Sequence, residues 1–195
     1  MRHEPFQNAP VAENTSVKIR PAELRDLPAL LAIYNHAVAH LTALWTDRLE
    51  DLDGRRSWLL ARRNAGFPVL VAVDGEDQVL GYGSYGWFRP ADGYRKTVEH
   101  SVYVNPGLQG GGIGTALLKA LIDHAKSAGM HVMIAAIDGE NGGSIRFHEQ
   151  HGFAESGRLP QAGTKFGRWL DLVLMTRVLD VGDTPASSMS AKLDA

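Results

Sequence analysis

The spacing of apolar residues along the chain switches between two periods, which predicts alternating strands and helices. Short runs of β-branched residues predict strands, and apolar residues at every third or fourth position predict helices. Strands are predicted at residues 17–20, 69–73, 79–87, 97–104, 132–137, 153–159 and 168–177, and helices at 26–40, 52–63, 112–128 and 143–151. This order predicts an α/β fold with a mixed central sheet, antiparallel in its first half, and helices on both faces.

The periodic pattern occupies the middle of the chain and is absent from both ends. Residues 16–179 are predicted to form a single domain, long enough for one sizeable core but short for two. Residues 1–15 are polar and are predicted to be a flexible N-terminal arm. Residues 180–195 include Gly182, Pro185 and three serines, a composition typical of turns and linkers, and are predicted to be a disordered tail.

Composition narrows the class of protein. The 195 residues carry a formal net charge of −2 and no basic stripe, so nucleic-acid binding is not expected. The absence of cysteine excludes disulfides, a thiol nucleophile and cysteine-based zinc sites, and no metal is expected. The polar first residues lack the apolar core of a signal peptide, and no apolar run approaches membrane length. A cytoplasmic protein without membrane association is therefore predicted.

A glycine-rich loop between the fourth predicted strand and the next helix is the most informative segment. It reads Asn-Pro-Gly-Leu-Gln-Gly-Gly-Gly-Ile-Gly-Thr over residues 105–115. Glycines at the start of a helix let the backbone approach a ligand, and the helix dipole and free N–H groups attract anions there. The loop therefore predicts a receptor for phosphate or pyrophosphate. The alternative is a flexible turn that binds nothing.

The pattern within the loop separates several nucleotide-binding motifs. A P-loop needs Lys and Ser/Thr directly after its last glycine, whereas Gly114 is followed by Thr115 and Ala116. A dinucleotide-binding fold would place its glycines after the first strand. The spacing Gln109-x-x-Gly112-x-Gly114 instead resembles the Q/R-x-x-G-x-G/A segment of the GCN5-related N-acetyltransferases, which wraps the pyrophosphate of acetyl-coenzyme A.

This resemblance implies that acetyl-CoA is the cosubstrate. It implies cofactor contacts from Val102, Tyr103, Val104, Gln109, Gly110, Gly111, Gly112, Ile113, Gly114 and Thr115. Arg is the commoner residue at position 109 in that family. Because Gln109 supplies no fixed positive charge, we expect backbone amides to hold the pyrophosphate.

A second segment, residues 141–153, resembles the N-x-x-S/A-x-x-x-Y/H-x-x-x-G-F motif with which the same superfamily lines the pantetheine arm. The Asn141 amide can bond peptide-like groups. Ser144 and His148 are about one helical turn apart and should share a face. The resemblance implies cofactor contacts from Asn141 and Ser144, and it implies that His148 protonates the departing thiolate. A histidine that only packs the helix is the alternative.

Further segments indicate one branch of this superfamily. Residues 94–104 and 165–171 resemble the phosphinothricin N-acetyltransferases, and residues 42–45 and 87–90 resemble members that acetylate methionine sulfoximine and methionine sulfone. The resemblance extends over residues 17–178. It implies a small amino-acid-like amine as substrate and, because the relatives are homodimers, a homodimer.

Two groups are candidates for binding that amine. Glu99 shares a strand face with Ser101 and Tyr103, and a carboxylate there can hold the substrate ammonium and take its proton. Its alternative is a rim carboxylate paired with Arg95 or Lys96. Glu99 is the first choice for the general base and His148 the second.

The substrate's other end is predicted to meet the loop after the third strand. A guanidinium at Arg89 matches a carboxylate or phosphinate, and Pro90 and Ala91 accompany it; a solvated loop arginine is the alternative. His100 and Ser101 complete the predicted substrate site. The His100 ring is expected on the face opposite Glu99, so its backbone rather than its ring should lie near the substrate.

The sequence thus predicts an acetyl-CoA-dependent N-acetyltransferase in which the amine attacks the thioester directly, without a covalent enzyme intermediate. Two alternatives stay open. The same fold could acetylate another amine, such as a protein N-terminus or an aminoglycoside. It could also be a non-catalytic acyl-CoA-binding domain.

Overall fold

The computed structural model describes residues 17–179, and the predicted arm and tail lie outside the described residues. The strands are β1 (Lys18–Pro21), β2 (Val69–Val73), β3 (Val79–Trp87), β4 (Thr97–Val104), β5 (Val132–Asp138), β6 (Ala154–Lys165) and β7 (Arg168–Val178). The helices are α1 (Leu27–His40), α2 (Leu52–Asn64), α3 (Ile113–Ser127) and α4 (Gly142–Gln150). This is the predicted order of elements. No helix within residues 17–179 combines the length and apolarity needed to cross a membrane.

The strands form one seven-stranded sheet in the order β1-β2-β3-β4-β5-β7-β6. All neighbours are antiparallel except β4 and β5, which run parallel, so the predicted mixed sheet is confirmed. One face packs against α3, whose Leu117 and Leu121 are fully buried. The other face packs against α1 and α2 through Leu30 and Leu59. Helices therefore cover both faces.

The parallel pair β4–β5 is joined over only three residue pairs. The last pair is Glu99 with Ile134, although β4 continues to Val104 and β5 to Asp138. β3 stays paired with β4 to Val104, and β7 stays paired with β5 to Asp138. The sheet therefore splits between β4 and β5. Beyond the split, the facing edges of the two strands lack a strand partner.

The sixth strand is longer than its predicted extent of 153–159. It continues to Lys165 through an irregularity between Leu159 and Gly163 that includes Pro160. A proline is tolerated because β6 is an edge strand, where its missing N–H removes no sheet hydrogen bond.

The far end of β6 anchors the loop between α1 and α2. A Cβ added at Gly163 would lie 2.1 Å from the Trp45 ring, so the indole packs directly on the strand backbone. The buried Lys165 ammonium donates to the Thr46 carbonyl and lies 3.2 Å from an Asp47 carboxylate oxygen. These contacts hold residues 41–51 beside the split in the sheet.

Candidate active site

A cleft of about 710 Å³ occupies the split between β4 and β5. Eleven of the predicted cofactor contacts line it: Val102, Tyr103, Val104, Gln109, Gly110, Gly112, Ile113, Gly114, Thr115, Asn141 and Ser144. Gly111 is the predicted contact that does not. Two segments far apart in sequence, predicted separately from their motifs, are thus brought to one cleft of the size usual for small-molecule sites.

The glycine loop closes one end of this cleft at the start of α3. Gly112 is the N-cap of α3 and has φ = 79°, in the left-handed region that favours glycine. The N–H groups of the first helical turn, at Ile113, Gly114 and Thr115, have no partner within the helix. These residues line the cleft. The arrangement is an anion site made of backbone.

The Gln109 side chain belongs to the loop's own structure. Its carbonyl oxygen accepts a hydrogen bond of 3.0 Å from the Gly107 N–H. The side chain therefore closes the turn and brings no positive charge to the cleft. That backbone amides hold a pyrophosphate here stays a prediction.

His148 lies on α4 and lines the cleft with its imidazole. Its Nδ1 is 2.7 Å from the carbonyl oxygen of Ser144. Because a carbonyl only accepts, Nδ1 carries the hydrogen, and the neutral ring has its lone pair on Nε2. Burial lowers the pKa of His148, although the bond to Ser144 opposes that shift. At neutral pH the side chain is therefore a neutral proton acceptor.

His100 packs beside His148, with ring centroids 5.2 Å apart. The ring lies on the face opposite Glu99, as alternation predicts, but it lines the cleft itself. Burial and the neighbouring His148 lower the pKa of His100 to about 3, so the ring is neutral. Neither ring nitrogen has a hydrogen-bond partner among the described residues. Buried polar atoms normally have partners, so these nitrogens point to a ligand or water in the cleft.

Asn141 begins α4 and faces the same cleft. Its side-chain oxygen accepts a 3.0 Å hydrogen bond from the Ser144 N–H and caps the helix. The oxygen is therefore engaged, and the amide NH₂ is the group available to a ligand carbonyl.

Glu99 lies at the apex of the split, on the face covered by α1 and α2. Burial raises the pKa of its carboxyl, and the Arg62 guanidinium opposes that shift. Glu99 makes no ion pair with Arg95 or Lys96 in the described chain, and Arg95 instead donates to the Asp92 carbonyl at 3.1 Å. A carboxylate made less acidic by burial is a stronger base near neutral pH.

Arg89, Pro90 and Ala91 are exposed in the loop after β3 and do not line the cleft. The Arg89 guanidinium lies 5.0 Å from the centroid of the Phe88 ring. The Phe88 N–H donates to the Thr97 carbonyl at 3.3 Å, which fixes the loop beside the start of β4. The structure therefore places these residues beside the start of β4, at the opposite end of that strand from the glycine loop.

Asp138, at the end of β5, is a buried cleft residue that the sequence analysis did not identify. Its carboxylate accepts from the Thr42 hydroxyl and, at 3.1 Å, from the Glu140 N–H. An acidic residue at the carboxyl end of a buried strand was the available signal, because open α/β sheets bind ligands at that edge. Thr42 belongs to the segment 42–45 that carries the family resemblance, but its hydrogen bond to Asp138 was not predicted. Within residues 17–179, no set of three or more His, Cys, Asp or Glu side chains could hold a metal ion.

Comparison with known proteins gives a consistent picture. Residues 30–153 match the model of the acetyltransferase (GNAT) family. An L-methionine sulfoximine/L-methionine sulfone acetyltransferase from Pseudomonas paraeruginosa is 52% identical over 165 residues, which cover 85% of this chain and 96% of that protein.

Solved structures agree with the sequence comparison. A ribosomal-protein-alanine N-acetyltransferase from Brucella melitensis superposes with a TM-score of 0.81 at 52% identity, over 83% of this chain and 99% of that one. The Salmonella typhimurium protein yncA, solved with its cofactor acetyl-CoA, gives a TM-score of 0.85 at 48% identity, over 89% and 99%. The fold, the family and the cofactor expected from the motifs are confirmed.

Proposed function

Because the chain belongs to the GNAT family of acetyl-CoA-dependent N-acetyltransferases, we propose that it acetylates the α-amino group of a small amino-acid-like substrate. Methionine sulfone, methionine sulfoximine and phosphinothricin are the proposed substrate types. The observation that carries the proposal is Glu99, a half-buried carboxylate in the last residue pair before β4 and β5 separate, next to the cleft residue His100 although not itself in the cleft lining. Strand β4 carries both Glu99 and the cleft-lining residues Val102–Val104, so the amine and the thioester can meet beside β4.

The cleft has the groups that acetyl-CoA needs. Bound acetyl-CoA supplies the acetyl group as an activated thioester. We assign the pyrophosphate to the amides of the glycine loop and the pantetheine arm to the free edge of Val102–Val104, with Asn141 and Ser144 alongside. Main-chain N–H groups on that edge can also polarise the thioester carbonyl. The unpartnered nitrogens of His100 fit a site that a ligand completes.

Glu99 is the proposed general base. An α-amino group is largely protonated near neutral pH and cannot attack until a proton leaves. The Glu99 carboxylate takes that proton directly or through one water, and its burial makes it less acidic than an exposed glutamate. Holding amine and thioester in one cleft supplies the proximity needed for direct attack.

His148 is proposed to handle the second proton, which leaves the nitrogen as the amide bond forms. Since Nε2 of the neutral ring bears the lone pair, His148 must accept a proton before it can donate one. It takes this proton and delivers it to the departing thiolate, so its starting charge is restored. Glu99 releases the first proton to solvent.

The proposed assembly is a cytoplasmic homodimer. Acetyl-CoA is made and used inside cells, which supports that location. Exposed apolar side chains on β6, β7 and their turn support the dimer; they are Leu159, Phe166, Trp169 and Val178. A monomer mass in solution scattering at micromolar concentration would contradict it.

Acetylation of a protein N-terminus is the second candidate, because the Brucella relative carries the name of a ribosomal-protein-alanine N-acetyltransferase. The purified protein should be incubated with acetyl-CoA and methionine sulfone, methionine sulfoximine, phosphinothricin, an alanine-initiated peptide or an aminoglycoside, with free CoA as the readout. We expect turnover of the three amino-acid analogues. Faster turnover of the peptide would favour the second candidate, and binding of acetyl-CoA without any turnover would favour a non-catalytic domain.

A further inference from the structure

Glu99 faces a glycine across the sheet. In the antiparallel pair β3–β4, Gly86 is the residue directly opposite Glu99. Such opposed residues have Cβ atoms about 4.5–5.5 Å apart and normally interact through their side chains. Here the glycine has none. On its other side Glu99 is paired with the apolar Ile134. Neither neighbouring strand therefore gives the carboxylate a polar cross-strand partner.

The guanidinium of Arg62, from α2, occupies the space that a side chain at position 86 would fill. A Cβ added at Gly86 would lie 1.5 Å from Nη1 and 2.7 Å from Cζ of Arg62. Arg62 also donates to the Tyr85 carbonyl at 3.4 Å. A positive charge therefore stands at the cross-strand position facing Glu99, supplied by a helix instead of by the neighbouring strand.

The backbone at Gly86 does not itself require a glycine. Its φ is not in the left-handed region, which seven other glycines of the described chain occupy. A glycine inside a strand is unfavourable and often marks a close approach by another group. At Gly86 the approaching group is Arg62, so space for the guanidinium accounts for the residue.

We propose that Arg62 is a positioning residue for Glu99. Because Gly86 has no side chain, the Arg62 guanidinium fits into the position that faces the Glu99 carboxylate across the sheet. Arg62 keeps Glu99 ionised and in place at the end of the β4–β5 pairing, ready to accept a proton. This inference rests on the proposed role of Glu99 as the base. It adds a residue that does not line the cleft.

The charged groups around Glu99 determine in which direction the loss of Arg62 should move the pKa of Glu99. The charge of Arg62, on α2, acts on Glu99, and the charge of Glu99 acts on Tyr103 of the same strand, while Gly86 and Ile134 contribute no charge. Arg55, on the same helix, lies near enough to act on Arg62. Burial raises the pKa of Glu99 and Arg62 opposes it. Without Arg62 that pKa should rise further, and Glu99 should be protonated over more of the working pH range.

The test compares Arg62→Met and Gly86→Ala with the control Arg56→Met, which removes an exposed charge from the same helix. Gly86→Ala leaves Glu99 and Arg62 intact, and its methyl group has to displace only the end of a flexible side chain. It keeps the test decisive if Arg62→Met folds poorly. Side-chain carboxyl ¹³C NMR would follow Glu99, assigned by the signal lost in Glu99→Gln, and kcat/KM would be measured against pH.

We expect the Glu99 titration to move up by about one pH unit in both test variants, and the acid limb of kcat/KM to move with it. Arg56→Met should change neither. An unmoved Glu99 titration in both test variants overturns the inference. A titration that moves while the acid limb stays in place supports it, but shows that Glu99 is not the base. If Arg62→Met leaves the titration unchanged and raises KM only for amines with a carboxylate, Arg62 binds substrate and the inference is wrong.

Discussion

The two faces of the sheet at the split are built in different ways. On the α3–α4 face, most of the cleft residues come from two continuous segments, 100–115 and 141–148, and the others come from β5 and Ala43. On the α1–α2 face, the groups come singly from elements far apart in sequence: Thr42, Arg62, Glu99 and Asp138. The first face is an arrangement of local structure, whereas the second exists only when the whole domain is folded.

The faces also differ in their chemistry. The cofactor side offers backbone amides and the two neutral imidazoles of His100 and His148. The opposite side carries the charged pair Glu99 and Arg62. A pyrophosphate and a peptide-like arm are bound well by amides at a helix start and a strand edge. An ammonium must instead meet a carboxylate at one point in space, and only side chains can provide that.

The largest expected effect comes from Glu99→Gln, which keeps the shape of the side chain but removes the base. We expect kcat to fall about 10²–10⁴-fold at neutral pH, the usual range for a lost general base. The loss should shrink as pH rises and more free amine is present. In the unmodified enzyme, burial raises the pKa of Glu99, so activity should fall on the acid side at a pH above the ordinary range of a glutamate. Glu149→Gln, on the exposed side of α4, is the control.

The His148→Gln variant, on the opposite face of the sheet, provides the contrast to Glu99→Gln. If His148 passes a proton to the thiolate, its defect should not be relieved at high pH. A pH–rate series on both variants decides the matter. Should Glu99→Gln keep near-normal kcat at neutral pH, while His148→Gln loses it and recovers in alkali, His148 is the base and Glu99 only binds the amine.

Gly112→Val should weaken acetyl-CoA binding by at least about tenfold, since it strains a left-handed residue and adds bulk where the phosphates approach. Gly66→Val is a matched control. Gly66 also has a positive φ and no atom within 4 Å of an added Cβ, but it lies outside the cleft. Calorimetric titration should show a defect only for Gly112→Val. Equal affinity in the two variants would remove the glycine loop from the proposed site.

Arg89→Ala should raise KM for methionine sulfone or sulfoximine about tenfold or more, because a charge-assisted hydrogen bond is worth about 1.5–3 kcal/mol. Affinity for acetyl-CoA should stay nearly constant, since Arg89 does not line the cleft. Steady-state kinetics with each substrate would measure this. An unchanged KM for every acidic substrate would make Arg89 a solvated loop residue.

Thr42→Val should have the smallest effect. It removes the hydroxyl that donates to Asp138 and so loosens the loop between α1 and α2, while Lys165 and Trp45 continue to anchor it. We expect KM for the amine to rise about three- to tenfold, less than the full worth of a hydrogen bond to a charged group, because the remaining anchors keep the loop in place. Acetyl-CoA affinity should not change. A loss confined to acetyl-CoA binding would place Thr42 on the cofactor side.

Much of the fold could be predicted from the chain because its elements have strong local signals. The apolar period separated helices from strands, and the glycine loop marked the start of α3. The end of β6 could not be predicted in this way. Pro160 normally stops a strand, and only the position of β6 at the sheet edge allows the pairing to resume at Gly163.

The sequence by itself determined the order of elements, the family and the cofactor side of the cleft. Glycines, caps and helical spacing act over a few residues, so their consequences can be worked out along the chain. Only the tertiary structure decided where β4 and β5 separate. It also decided that the Asp138 carboxylate accepts a hydrogen bond from the Thr42 hydroxyl. It also placed Arg62 in the space left by Gly86 opposite Glu99. These features depend on strand register and helix packing between residues far apart in sequence, which no local pattern encodes.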